Sequence, residues 1–454
     1  MSSTVAPETP PIAVAPVPGP ATVRKPTAGR ARRSIDELLQ ENPIDSFVVP
    51  IGLFVFATLV YWFVNQGRPA TLHYFVPLAD AFLHGQLALS AAYSWLGEVV
   101  FGPNGLYNVV YPPAPAVLLM PFVLAFGLTL EQAWVSILLG ALNVALISLI
   151  LDEMGFTRFM RVVLSLVFGF GTIVWYSAQN GTAWHFSHVC SIFFILLTIL
   201  ACQRGARAWV IGLLFGGAIL SRLPLIAAEP FLLAYLAYRS QRDVNRDRTP
   251  FGFPVGPEQI RWAAIETGVF LRLAAPMAIG LAIPLAAYLA YNQLRFGSPF
   301  ETGTAMIPGL LEGDIYRNGL FSLQAIPGNL VAMFVALPEV VSSFPFLQPP
   351  FVGSLSVILT TPLLLWAAMA RDRDWFTVGC WASVALLLVP TLLRADPGGV
   401  QFGFRYAQDF YPFAFLLAAR GLRGRIGPVA WIAIGIGFAV NLWGMGATYF
   451  NWWA

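Results

Sequence analysis

Charge is scarce in this chain. Asp, Glu, Lys and Arg make up only 11% of the 454 residues, less than half of the roughly 25% that soluble domains carry. That excludes an ordinary soluble enzyme. Cysteine is scarce as well: Cys190, Cys202 and Cys380 all lie in apolar stretches. They give neither a disulfide framework nor metal-ligand spacing, and read as small core residues. No Gly-rich phosphate loop of the P-loop type is present, which argues against an ATP-driven machine. No Gly-x-Ser-x-Gly elbow is present either. The apolar runs lack the repeated acids and bases that proton-coupled pumps need; Glu229 and Arg272 are the main charges inside them.

What the chain does have is apolar sequence, 57% of its residues. Runs of about 17–25 apolar residues recur, each long enough to cross a bilayer. The fold class read from this is an all-α polytopic membrane protein. Spans are expected near 47–64, 132–151, 162–178, 187–202, 208–221, 224–239, 269–291, 351–370, 375–393, 409–422 and 428–448, about 11 transmembrane helices. Residues 1–46, with no apolar stretch before Ile51, read as a disordered cytoplasmic tail, with Ser34 and Glu37 placed for a capping box. Residues 65–131 read as a large first extracytoplasmic loop carrying interfacial helices, and 292–350 as a second large outer segment. Two apolar pieces, 113–127 and 328–347, are Pro-flanked or Pro-broken and are expected to be interfacial or re-entrant helices on the outer side.

The positive-inside rule fixes the orientation. With the N-terminus cytoplasmic and the C-terminus extracytoplasmic, nineteen Arg and Lys fall on the inner side. Six fall on the outer side: Arg68, Arg222, Arg295, Arg317, Arg394 and Arg405. The outer six run against the rule. Headgroup contact suffices for Arg68 and Arg317. Arg222 in "LSRLP" and Arg405 in "QFGFRYAQDFYP" are more specific, and a group of such arginines suits a phosphate, which takes bidentate guanidinium donors.

The first outer loop offers His73, Tyr74, Asp80, His84, Glu98, Tyr107 and Tyr111. On a helix, the spacings of seven and four would put His73, Asp80 and His84 near one face. That face either lines a cavity or is the wetted side of an interfacial helix. The next outer loop carries His185 and His188, three apart and flanked by Trp184 and Gln179–Asn180. They either line a site or sit at headgroup level. Asn292, Arg295 and Glu301 stand near the end of a later span. Arg405 and Asp409 are four apart. They form either a local ion pair or a unit in which Asp409 orients Arg405 toward a ligand phosphate.

The strings "HYFVPLADAFLHGQLAL", Tyr111-Pro112-Pro113, "LSRLP" with Arg222, "YNQLRFGSPFETG" and "VQFGFRYAQDFYPF" resemble the GT-C-type membrane glycosyltransferases, the class of protein O-mannosyltransferases and lipid A aminoarabinose transferases, in an uncharacterised bacterial branch. The resemblance covers roughly residues 47–425. It implies a protein of the bacterial inner membrane that moves a sugar from a polyprenyl-phosphate-linked donor to a glycan, lipid or protein acceptor at the outer face. It implies no nucleic-acid partner. In the family an acid at the start of the first outer loop serves as general base or metal ligand. The matching stretch here, "RPATLHY", has no carboxylate. Either His73 or Asp80 then takes the base role, or the chain binds a lipid-linked substrate without transfer. Tyr74, His84, Tyr111, His185, His188, Arg222, Arg295, Arg405 and Asp409 complete the expected substrate-binding set. The leaving group is already a phosphate monoester, so a divalent metal is optional and no cofactor is expected. A flippase is the remaining alternative. It is disfavoured because no internal repeat and no paired broken helices in corresponding halves are visible in the sequence.

Overall fold

A computed structural model describes residues 45–449 apart from 94, 243–258, 343, 345, 351, 352 and 399. The expected N-terminal tail and its capping box lie outside the described residues. The described chain is mostly helical, with only short two-stranded sheets.

Six helices are long and apolar enough to cross a bilayer. They are α1 (Asp45–Asn65), α4 (Gln132–Glu153), α7 (Ala183–Gln203), α10 (Thr267–Phe296), α13 (Trp375–Leu393) and α15 (Pro428–Tyr449). The pair α5 (Arg158–Phe170) and α6 (Val174–Asn180), bent by 56°, makes a seventh if taken as one. This is the make-up of an all-α membrane protein. Between α1 and α4 lie α2 (Phe75–Leu83), the hairpin β1 (Val99–Phe101) and β2 (Tyr107–Val109), and α3 (Ala114–Phe126).

The other expected spans come out shorter, and each stands beside a proline. The helix α8 (Ala208–Ile219) stops before Leu223-Pro224. A 3-10 turn follows, and α9 (Glu229–Arg239) starts with Pro230 in its first turn. The described part of segment 351–370 holds a short strand (Gly353–Leu355), α12 (Val357–Thr360) and a 3-10 stretch Pro362–Met369, the last two separated at Thr361. The helix α14 (Tyr411–Gly421) starts with Pro412 in its first turn. The cause is local: a residue before proline is pushed out of the helical region, while proline itself fits a helix start. The expected helix over 328–347 is also cut short. It forms as α11 (Ile326–Phe334), ahead of Pro338, and a small antiparallel pair of β3 (Glu339–Val340) and β4 (Leu347–Gln348) follows. The expected helix near 113–127 is α3.

Helices α4 and α7 run parallel. At one end Gln132 Nε2 donates to the Gly181 carbonyl at 2.6 Å. At the other, Arg204 Nε donates to Glu153 Oε1 at 2.8 Å. The bent pair α5–α6 brings the chain back between them. Helix α1 packs against this group, with Tyr61 Oη donating to Gly169 O at 2.7 Å and Asn65 Nδ2 to Gln179 O at 3.1 Å. Polar side chains close the unpaired backbone groups left at bends, as buried apolar surroundings require.

Backbone contact through small residues joins α8 to α10. A Cβ on Gly212 would lie 2.0 Å from the Met277 carbonyl, and one on Gly280 would lie 2.0 Å from the Trp209 carbonyl. Where lipid removes the hydrophobic drive between helices, such close approach supplies the van der Waals attraction. Gly280→Ala is therefore expected to lower stability by about 2 kcal/mol through overpacking. Gly268→Ala, in the same helix with nothing within 4 Å of its Cβ position, should change little. Thermal unfolding in detergent checks both.

Candidate functional site

The site begins with Glu98. It stands immediately before β1, whose pairing of Val99 with Val109 brings Tyr111 back beside it. Tyr111 Oη donates to Glu98 Oε2. Trp184, in the first turn of α7, donates its Nε1–H to the same oxygen at 2.9 Å. Tyr74, just before α2, accepts the Glu98 backbone N–H at 3.1 Å. So one carboxylate oxygen is held by two donors. Oε1 has no hydrogen-bond partner among the described residues. Burial pushes the Glu98 carboxyl above its ordinary range, while the Trp184 N–H and the charges of Arg405 and Arg394 pull the other way. Burial and the Glu98 charge together push the Tyr74 hydroxyl up to about 12, so it stays a neutral partner.

Beyond Trp184 lies a group of three arginines. The Arg405 guanidinium sits 4.9 Å from the Trp184 ring centre and 5.0 Å from that of Tyr406. Arg394 lies 4.8 Å and Arg222 5.6 Å from the same Tyr406 ring. One tyrosine is thus ringed by three cations, each drawn to a π face. Burial works against the charge of Arg394, and Tyr406, Asp396 and Tyr316 hold it protonated. Arg405 Nη1 and Arg394 Nε are buried without a hydrogen-bond partner among the described residues.

Asp409 anchors the group. Its carboxylate receives Arg222 through Nε at 2.6 Å and Nη2 at 3.0 Å, and His188 Nδ1 lies 3.2 Å from the same Oδ1. Local backbone makes this possible. Arg222 is extended (φ −152°, ψ 110°) at the break after α8. Asp409 ends the 3-10 turn Arg405–Asp409. One step further in, His185 Nδ1 lies 3.0 Å from Ser177 Oγ, which also accepts from Gln408 Nε2 at 2.8 Å.

Of the residues singled out by the sequence, Tyr74, Tyr111, His185, His188, Arg222, Arg405 and Asp409 come together here. His73, Asp80, His84 and Arg295 make their contacts elsewhere. The helix α2 covers only Phe75–Leu83 with His84 as its C-cap, so Asp80 and His84 stay on one side while His73 falls outside, and the shared face of all three does not form. His84 has a side chain 70% exposed, with Nδ1 3.7 Å from Asp80 Oδ2. The His73 ring packs on Trp95 at 4.2 Å. Arg295 is buried as a clamp, donating to the Val109 carbonyl and, at 2.7 Å, to Asn292 Oδ1. It stacks 3.7 Å from Tyr291 and ties the end of α10 to β2. Nor does Asp409 pair with Arg405. At three residues per 3-10 turn, positions four apart diverge by about 120°, so Asp409 turns to Arg222 instead.

Glu98, Trp184, Arg394 and Tyr406 belong to the site as well; the sequence shows the first three among the outer polar and aromatic residues without giving them a role, and does not single out Tyr406. The available signals were the outer position of Arg394 and the adjacency of Tyr406 to Arg405. Among the described residues, no group of three or more His, Cys, Asp or Glu is arranged to hold a metal ion. Comparison with family models, curated proteins and solved structures found no match.

Removing one member of the buried pair leaves the other charge uncompensated. Arg222→Ala or Asp409→Ala is expected to cost about 3–5 kcal/mol. The joint change Arg222→Met with Asp409→Leu should cost clearly less than the sum of the two. Chemical or thermal unfolding of the four proteins measures the coupling.

Proposed function

We propose that this chain is a GT-C-type membrane glycosyltransferase. In this reading it transfers a sugar from a polyprenyl-phosphate donor to an acceptor at the outer face of a bacterial inner membrane. The observation that carries the reading is the meeting of Arg222, Arg394 and Arg405 around Tyr406, beside the Glu98 carboxylate. A phosphate needs convergent guanidinium donors, and acyl- or glycosyl-acceptor activation needs a base within reach.

The base role then belongs to Glu98 rather than to His73 or Asp80. Glu98 Oε1 takes the proton of the acceptor hydroxyl. The acceptor oxygen bonds to the anomeric carbon as the bond from that carbon to the phosphate oxygen breaks. The electron pair leaves on polyprenyl phosphate, whose growing charge the arginines hold. Tyr111 and Trp184 keep the other carboxylate oxygen fixed, so the proton-accepting lone pairs face one way.

The membrane arrangement proposed with it has eleven crossings, the short ones being α8, the turn-plus-helix ending in α9, α12 with its 3-10 continuation, and α14. Support comes from the ends they join. Arg222 and Asp409 meet at the end marked by Gln132 and Gly181. Asp374 pairs with Arg420, and Arg242 lies 3.2 Å from Glu266, at the ends that face the Glu153–Arg204 pair. Broken helices of this kind are tolerated at membrane depth where they pack on protein. Native cysteines are buried, so single cysteines placed at exposed positions can be labelled in intact cells. Labels at Phe126 and His84 are expected from outside, and one at Arg423 only after the membrane is permeabilised; a Phe126 label from the cytoplasmic side overturns this topology.

Purified protein given radiolabelled polyprenyl-phosphate sugars and a membrane extract as acceptor should release polyprenyl phosphate. Glu98→Gln should abolish release with folded protein retained, and Arg405→Ala should lower it by about a hundredfold or more. Because the base must be deprotonated and its pKa stands above the ordinary carboxylate range, activity should rise with pH through that raised value. Tyr111→Phe removes a donor that favours the charged form, and should move the rising limb to higher pH. Donor binding without release in the wild type would favour a non-catalytic lipid-binding protein; vectorial movement of intact donor would favour a flippase.

A further inference from the structure

The first outer loop carries a second feature that the proposed transfer does not use. Tyr93 and Trp95 are exposed, at 37% and 39%. The His73 ring lies on Trp95 with centroids 4.2 Å apart and planes 30° apart. Tyr93 adjoins Trp95 at 5.5 Å. Three rings thus form one outward surface. A turn with Leu96 N donating to Tyr93 O at 2.9 Å fixes the spacing of the two loop aromatics. His73 Nδ1 is engaged with Ala70 O at 3.0 Å, and Nε2 has no hydrogen-bond partner among the described residues. This surface borders the Glu98 site through two links. Trp95 stands three residues before Glu98, and Tyr74, next to His73, accepts the Glu98 N–H.

We propose that the His73–Tyr93–Trp95 surface is the acceptor subsite and that it binds a carbohydrate ring, an inference that rests on the transferase reading only for the word acceptor. A pyranose has an apolar face of C–H bonds and a rim of hydroxyls. The negative faces of aromatic rings attract those C–H dipoles, and their polar edges meet the rim. Here the exposed ring area comes from Trp95, one side of which carries His73, and from Tyr93. The polar atoms come from His73 Nε2 and the Tyr93 hydroxyl. A peptide acceptor would call for a strand edge, a groove or a charged cluster, and the described residues of 93–97 bring none of these. The surface therefore selects a glycan acceptor over a protein or a simple lipid.

The test uses full-length protein in lipid nanodiscs without donor. Saturation-transfer NMR is run with four separate probes: tetrasaccharides of glucose, mannose, galactose and N-acetylglucosamine. At least one is expected to take up saturation on the C–H protons of one ring face. Trp95→Ala should weaken that binding about tenfold, and Trp95→Phe, which keeps a ring, should retain it within about threefold. Should Trp95→Ala not yield folded protein, Tyr93→Ala at the exposed ring serves instead, with weakening of about threefold. No saturation with any probe, or unchanged binding in the alanine variant, overturns the proposal. A nitroxide on cysteine at position 93 gives an independent readout, since the native cysteines are buried. Access to a water-soluble nickel reagent supports the proposal. Exclusion from nickel together with access to oxygen would place the rings in the lipid belt, where Trp and Tyr also gather, and overturns it. Glycan binding is read here without turnover, so inactivity of the enzyme toward polyprenyl-phosphate donors would defeat the transferase reading and leave the glycan result standing.

Discussion

The buried contact between Arg222 and Asp409 governs the arrangement of the site. The two residues are 187 positions apart in sequence, and Asp409 is only 2% exposed. A carboxylate in that position requires a cation with good geometry, because leaving it unpaired costs several kcal/mol. The requirement draws the extended break after α8 against the 3-10 turn before α14. Once Asp409 is docked, Arg405 and Tyr406 have little freedom, because they lie in the same short turn. Tyr406 then offers its ring to Arg222 and Arg394 together. His188 approaches the same carboxylate from α7, so three distant segments are fixed by one anionic group.

The breaks that allow this are themselves satisfied elsewhere. Thr361, between α12 and its 3-10 continuation, has its hydroxyl 3.3 Å from Tyr411 Oη. Asn441 of α15 donates to the Thr360 carbonyl at 2.8 Å. Gln408 reaches Ser177 at the end of the bent α5–α6 pair. Irregular backbone survives among apolar helices only where neighbouring side chains take over the lost hydrogen bonds. The polar residues Thr, Asn, Gln and Tyr therefore concentrate at the breaks, and the chemically rich side chains appear there because the backbone is already open.

The sequence made the membrane class legible because apolar length and low charge are properties of composition. The six long helices follow from the same signal, and α3 was visible as a short Pro-flanked run. The shortened spans were harder. Pro224, Pro230, Pro362 and Pro412 were all in view, yet a hydropathy window averages across them and reports one span where the backbone changes state. The site was legible in part. Arg222, Arg405, Asp409, His185 and His188 stood out as charged or titratable groups at apolar ends. Their partners did not, since Asp409–Arg222 and Glu98–Trp184 are contacts between remote segments. The reading of His73, Asp80 and His84 as one face assumed a helix longer than the nine residues of α2. Arg295 illustrates the opposite hazard, an outer arginine whose partners are a backbone carbonyl, an amide and aromatic rings.

Electrostatics adds a reason to regard the arginine group as built for an anion. Each guanidinium lies within about 6 Å of one ring centre, so any two are within about 12 Å. At an effective dielectric near 20, each pair then repels by at least about 1.4 kcal/mol. Asp409 offsets Arg222, and Asp396 contributes to holding Arg394 charged. Arg405 is left with π faces, the Tyr406 hydroxyl at 3.2 Å, and the nearby Glu98, whose burial favours the neutral form. π faces lower the cost of a cation without cancelling its charge. Among the described residues no hydrogen bond joins Arg405 to Glu98, so Arg405 keeps donors open to an incoming anion. The unpartnered Nη1 of Arg405 and Nε of Arg394 would then be the donors that such an anion engages.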